Sequence, residues 1–221
     1  MSRANLSSGT PVFRADPDVA VERGVVILPD IGGLSPNLER IASDVAESCA
    51  AAVAVVELFP GNEHLTFPER LEFGLRDISE PRALADAVEA AALLRVEPVA
   101  VMGFCIGGAL AMRAVHVGRF DQVVAWYGMV HLPPPWAGDK GNPLDAVRRA
   151  EVPVLQVAGD ADEFISGADL DELEAAGATV WRVAGAKHAF AHDPAHPNHD
   201  AAAAATMWNA VAGVLSVAGS A

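Results

Sequence analysis

PVAVMGFCIGGALAMRAVH, residues 98–116, passes from a short β-type run through a glycine-rich turn into an Ala/Leu/Met-rich segment of helical character. Strand, sharp turn and helix in that order form a nucleophile elbow when glycines stand two residues before and two residues after a nucleophile. The central residue of such a turn sits in a strained conformation, and side chains at the flanks would strike neighbouring backbone. Here the flanks are Gly103 and Gly107, and Cys105 occupies the nucleophile position. A G-x-C-x-G match arises by chance about a hundredth of a time in a chain of this composition, before the strand and helix are required. The competing reading is a cysteine that only fills space at the turn.

The 221 residues suffice for one domain with a sizeable core and are too few for two ordinary ones. Hydrophobic residues make up 52% of the chain, yet no apolar run reaches membrane-spanning length, and residues 1–13 carry neither an apolar signal region nor an arginine-rich transit pattern. Two cysteines, Cys49 and Cys105, make no disulfide framework, so a reducing cytoplasm is expected. A net charge of −14 argues against nucleic acid and anionic membranes as partners.

Around the elbow, strands and helices alternate. Buried-type strands are expected at residues 24–28, 52–56, 122–127, 152–157 and 179–183, with an edge strand at 10–13. Helices are expected from Ser35, an N-cap followed by Pro36, to Cys49, and over 80–95, 169–176 and 200–215. Residues 62–76 and 131–143 read as irregular loops, the latter through four prolines and two glycines. The pattern predicts a single α/β domain, 1–221, with a mostly parallel sheet covered by helices on both faces.

In such sheets functional groups gather at the C-terminal ends of the strands. Asp30, Cys105, Asp162 and His188 each follow a strand. A thiol is mostly protonated at neutral pH, so it needs an imidazole to take its proton, and His188 is placed to be that base. A carboxylate must hold the far ring nitrogen; Asp162 lies at the right remove from its strand, and Asp160 is its rival. Backbone N–H groups of Ile106, at a helix N-terminus, and Ile31, in the Gly32-Gly33 loop, are the expected oxyanion donors. Asp30 reads either as a turn residue or as a carboxylate that keeps the resting thiol protonated.

Taken together, the GFCIGG elbow, Pro29-Asp30-Ile31-Gly32-Gly33, Gly159-Asp160-Ala161-Asp162 and Lys187-His188-Ala189-Phe190 resemble the dienelactone hydrolase family, with the likeness spanning about residues 24–215. The resemblance implies an α/β-hydrolase fold without a large lid domain, and a triad of Cys105, His188 and Asp162, which selects Asp162 over Asp160. It also implies that the carboxylate at Asp30, a glutamate in many members, hydrogen-bonds the resting thiol until substrate displaces it. Family members that bind a substrate carboxylate use arginines, one of them four residues after the catalytic histidine. This chain has His192 there, and Arg70 is the nearest candidate for the other. Neutral lactones or short acyl esters are therefore the expected substrates.

Of the aromatics Phe59, Phe67, Phe73, Trp126, Tyr127, Trp136 and Phe190, most are expected in the core, with Phe59, Trp136 and Phe190 the candidates for a substrate pocket. Residues 192–200 hold three histidines and two aspartates, but two prolines deny them a helical i, i+4 arrangement and favour a solvated loop over a metal site. The expected activity is hydrolysis of small carboxylic esters or lactones through an acyl-cysteine, without cofactor, by a monomer or homodimer. The alternative is a non-catalytic protein of the same fold, a thiol redox sensor or small-ligand binder, with Cys105 at a helix N-terminus as the sensing thiol.

Overall fold

Runs such as Val-Val-Ile-Leu and Ala-Ala-Val-Ala-Val-Val have no polar alternation and are stable only where both faces of the strand are covered. In the computed structural model, which describes residues 1–217, they form the centre of an eight-stranded sheet. The strands are β1 Ser2–Asn5, β2 Pro11–Ala15, β3 Arg23–Leu28, β4 Ala51–Val56, β5 Val99–Phe104, β6 Gln122–Trp126, β7 Val154–Gly159 and β8 Thr179–Val183. Their order is β1-β2-β4-β3-β5-β6-β7-β8, with the β1–β2 and β2–β4 pairs antiparallel and the other five pairs parallel. Every residue of β3 to β7 is buried, whereas the edge strand β8 is half exposed.

Five helices cover the sheet: α1 Pro36–Cys49, α2 Glu80–Leu94, α3 Ile106–Arg113, α4 Gly167–Ala175 and α5 Ala201–Val217. α1 packs with α5 on one face, and α2 with α3 on the other. Ser35 caps α1 as its sequence predicts, its hydroxyl accepting the Leu38 N–H at 3.3 Å. Among the described residues no helix is long and apolar enough to cross a membrane.

Two regions differ from expectation. β1 was unread because Ser-Arg-Ala-Asn is fully exposed and holds its place by backbone pairing to β2, which leaves no hydrophobic pattern. Residues 67–77 are helical rather than irregular, with a wide π turn at Arg70–Gly74. Its start signal was present: Thr66 and Glu69 form a capping box, Glu69 accepting both the Thr66 N–H and hydroxyl at 2.8 and 2.7 Å. The proline-rich loop is largely irregular, with one short helix at Pro134–Ala137. It is pinned to α2 where Glu80 accepts the Gly141 N–H at 2.8 Å while pairing with Arg113 of α3, also at 2.8 Å.

Candidate active site

Cys105 closes β5 and opens α3 with φ 54° and ψ −117°, a conformation that L-residues rarely adopt. The flanking glycines explain how the turn is tolerated. A Cβ on Gly103 would lie 2.0 Å from the Gly107 carbonyl oxygen, and one on Gly107 would lie 2.2 Å from the carbonyl oxygens of Leu28 and Pro29. The turn is fixed on both sides, by Cys105 N–H donating to the Trp126 carbonyl at 3.0 Å and by the Cys105 carbonyl accepting Ala109 N–H at 3.1 Å.

His188, in the segment after β8, lies over this turn. A carboxylate only accepts, so the 2.8 Å contact between Asp162 Oδ2 and His188 Nδ1 fixes the ring proton on Nδ1. Asp162 is itself oriented by the Phe164 N–H, 2.8 Å from Oδ1. Asp160 is exposed and accepts the Gly185 N–H at 2.6 Å, so it ties the two loops together and does not reach the imidazole. His188 Nε2 is buried and makes no hydrogen bond of good geometry among the described residues. Cys105 is nevertheless near enough to act on the ring. Burial, the largest influence, opposes protonation of His188, but the bond to Asp162 and the proximity and charge of Cys105 outweigh it and push the imidazole up to about 10.

A second carboxylate–histidine couple adjoins the first. Asp30 Oδ2 accepts His192 Nε2–H at 2.8 Å, and Asp30 Oδ1 accepts the Gly32 N–H at 2.9 Å. The other ring nitrogen, Nδ1, is 2.5 Å from the hydroxyl of the fully buried Tyr127. Burial, seconded by the charges of Asp30 and Cys105, raises Tyr127 well above the ordinary phenol value, so its hydroxyl remains the donor. Burial acts to raise Asp30 too, but the bond and charge of His192 and the Gly32 N–H prevail, and its carboxyl is held below its usual value. The hydrogen bonds of Asp30 thus run to His192 and Gly32 rather than to the Cys105 thiol, which the resemblance implied as its partner.

Cys105, His188, Asp30, Ile31, Trp136 and His192 line one cavity of about 120 Å³. No hydrogen bond engages the N–H of Ile31 or of Ile106 among the described residues. Larger clefts, about 410 and 350 Å³, lie beside Phe59 and between α1 and α5, and neither contains the thiol or His188.

Three residues expected in the substrate pocket lie elsewhere. Phe190 has no exposed surface and packs on Trp126 and Tyr127, with ring centroids 6.5 and 5.8 Å away. Phe59 is buried beneath the Arg70 guanidinium, 4.8 Å from its ring centre. Arg70 donates to three carbonyls, those of Ile31 at 3.1 Å, Leu65 at 3.0 Å and Glu63 at 2.7 Å, which leaves it no free fork for a ligand carboxylate. Its position inside a helical stretch, unread in the sequence, turned it inward. The Phe73 side chain lies outside the described part of the structure. Phe67, one of the aromatics the sequence offered, also reaches the cavity, and residues not anticipated there include Leu71, Met129, Glu163, Phe164 and His196. Among the described residues no group of three His, Cys, Asp or Glu side chains is placed to hold a metal ion.

This arrangement can be set beside known proteins. The family model described as "Dienelactone hydrolase family" matches residues 11–218. The carboxymethylenebutenolidase of Rhodococcus opacus is 27% identical over 214 residues, covering 91% of this chain and 84% of the relative. A crystal structure from Klebsiella pneumoniae titled "Putative Dienelactone Hydrolase" superposes with a TM-score of 0.82 at 22% identity, over 96% of this chain and 95% of that one. The dienelactone hydrolase-like promiscuous phosphotriesterase P91, from metagenomic libraries, gives a TM-score of 0.72 at 20% identity over 97% and 96% of the two chains. The match runs from β2 through α5 and takes in the elbow, the Asp30 turn, the Asp162 loop and His188, and on that ground the chain belongs to the dienelactone hydrolase family.

Proposed function

We propose that this family member hydrolyses small carboxylic esters or lactones through an acyl-cysteine intermediate. The observation that carries the reading is a thiol on a strained elbow, sharing a cavity with an imidazole whose far nitrogen is held by a buried carboxylate. The Cys105 proton passes to His188 Nε2, where the bond to Asp162 and the proximity of the sulfur hold it, and the sulfur attacks the carbonyl carbon. The C=O electron pair moves to oxygen, where the N–H groups of Ile106 and Ile31 receive the charge. As the pair returns, the C–O bond to the alcohol breaks, and the imidazolium gives its proton to the departing oxygen. Water then adds to the thioester while His188 takes its proton, the C–S bond breaks, and the proton returns to sulfur. Asp162 holds the ring with Nε2 toward the reaction throughout, and stabilises the imidazolium.

Replacing Cys105 by Ala removes the atom that forms the covalent bond. We expect hydrolysis of p-nitrophenyl acetate to fall by at least about 10³-fold, with circular dichroism unchanged. Turnover near the parent rate in this variant would remove the cysteine mechanism.

The same reading favours neutral substrates. The cavity lining includes Asp30 and Glu163 and no lysine or arginine, and the Arg70 guanidinium is engaged by backbone. A dienelactone methyl ester should therefore show higher kcat/KM than the free acid. A preference for the acid would mean that a cation reaches the bound substrate after all.

A further inference from the structure

We propose that the mouth of the Cys105 cavity is a subsite for an apolar group, and that the protein's substrates are neutral esters or lactones bearing an alkyl or aryl substituent. This deepens the hydrolase reading and rests on it for the word substrate. At about 120 Å³ the cavity beside the thiol is small against the usual ligand pocket of roughly 300 Å³ or more. A molecule larger than a short ester must therefore extend into the mouth.

That mouth is apolar. Phe67, Leu71 and Phe164 line it while remaining 59%, 40% and 43% exposed, and they are three of the seven large hydrophobic residues exposed among those described. Single exposed hydrophobics need no explanation, but a cluster from separate segments around one opening does. Phe67 and Leu71 come from the helical stretch after β4, Trp136 from the proline-rich loop and Phe164 from the loop after β7. Phe164 packs edge-on to His188 at 4.8 Å between ring centres and lies 6.0 Å from Trp136. The apolar surface thus runs without a break from the imidazole to the rim.

The collar is also held in place. Phe67, Leu71 and Leu75 share a face at four-residue spacing, and Leu75 is buried, anchoring the stretch. Arg70, in the same stretch, donates to the Ile31 carbonyl, which clasps that stretch to the loop that carries an oxyanion N–H. Contact with an apolar substituent is therefore made by a surface whose position relative to the thiol is already fixed, at small ordering cost. The charges agree: two carboxylates and no lysine or arginine among the lining residues disfavour an anionic substituent.

The experiment compares phenyl acetate with 4-butylphenyl acetate, whose leaving groups are electronically alike. It uses the full chain and the Phe67→Ser/Leu71→Ser double variant, and adds calorimetric titration of each with phenol and 4-butylphenol. In the parent protein the butyl chain should raise kcat/KM about tenfold and tighten phenol binding by a similar factor, as expected for a chain partly withdrawn from water. In the double variant both ratios should fall toward one. Equal kcat/KM and equal affinity for the two members in the parent would overturn the proposal, as would a double variant that lowers both substrates alike. A collar that serves a protein partner or a membrane surface would give the first of these results. If the parent hydrolyses neither ester, the hydrolase reading fails, and the binding ratio alone still decides whether the apolar subsite exists.

Discussion

Two carboxylate–histidine couples face one thiol in this protein, and they have the same contact distance. Asp162 meets His188 at 2.8 Å, and Asp30 meets His192 at 2.8 Å. They differ at the other ring nitrogen. His188 has a buried Nε2 with no hydrogen-bond partner of good geometry among the described residues, whereas His192 Nδ1 is taken by the Tyr127 hydroxyl. A group that moves protons in catalysis must have an atom free to exchange one with the reacting partner. The first couple leaves Nε2 without a competing hydrogen bond and turned to the cavity; the second is a closed chain from Asp30 through His192 to Tyr127. On the proposed reading, what separates the proton-moving histidine from the supporting one is the freedom of its second nitrogen, not the presence of a carboxylate.

The sharpest way to break this comparison is to remove each ring. His188→Ala should lower kcat/KM for p-nitrophenyl acetate by about 10⁴-fold, because the thiol loses its base and the leaving group its acid. His192→Ala should cost about tenfold or less, through loosening of Asp30. Comparable losses in the two variants would mean that His192 also moves protons.

Removing the carboxylate charges is a milder test. Asp162→Asn leaves the shape but takes away the acceptor that fixes the ring proton on Nδ1, and a fall of about 10³-fold is expected. Asp30→Asn should change turnover far less. Its effect should appear in the free enzyme, where loss of a neighbouring negative charge eases thiolate formation and speeds alkylation of Cys105 by iodoacetamide at neutral pH. An unchanged or slower alkylation rate would make Asp30 a turn residue and a partner of His192 only.

The smallest effect is a shift in titration. His188 lies at about 10, above its unfolded value near 6.5. Because the folded state holds this proton more tightly, the stability it contributes is fully present below about pH 6.5 and is lost as the pH rises through about 10. Cys105→Ser removes the sulfur, whose proximity and charge are among the influences that raise the ring. The imidazole NMR titration should accordingly move to lower pH, and the decline in stability should begin earlier on the alkaline side.

Whether a feature was legible in the sequence depended on how locally it was constrained. Gly103 and Gly107 were readable because a Cβ at either would meet backbone oxygen at 2.0 or 2.2 Å, a collision no neighbour can relieve. The buried strands were readable from their unbroken apolar runs, and the start of α1 from Ser35 and Pro36. Asp162, in contrast, stood level with Asp160 until the family resemblance chose between them, since both follow β7 within a few residues. The fold settles the matter geometrically: Asp162 reaches His188, and Asp160 turns to the Gly185 N–H.

From the sequence alone came the α/β alternation, the elbow with its cysteine, and the order nucleophile, acid, histidine, all of which follow from steric and hydrophobic rules acting within short stretches. Tertiary structure alone decided which groups remain free to react. His192 joins Asp30 across 162 residues and Tyr127 across 65, and Arg70 reaches Ile31 across 39, so the state of each donor and acceptor is set by partners that no local pattern encodes. The same holds for the apolar collar. Phe67, Leu71, Trp136 and Phe164 carry no signal at their own positions, and they become a surface only where three strand-end segments meet over one thiol. Hydrogen bonding saturates and burial is cumulative, so both are properties of the packed whole, and for that reason the sequence marked the cysteine of the elbow while the fold determined what surrounds it.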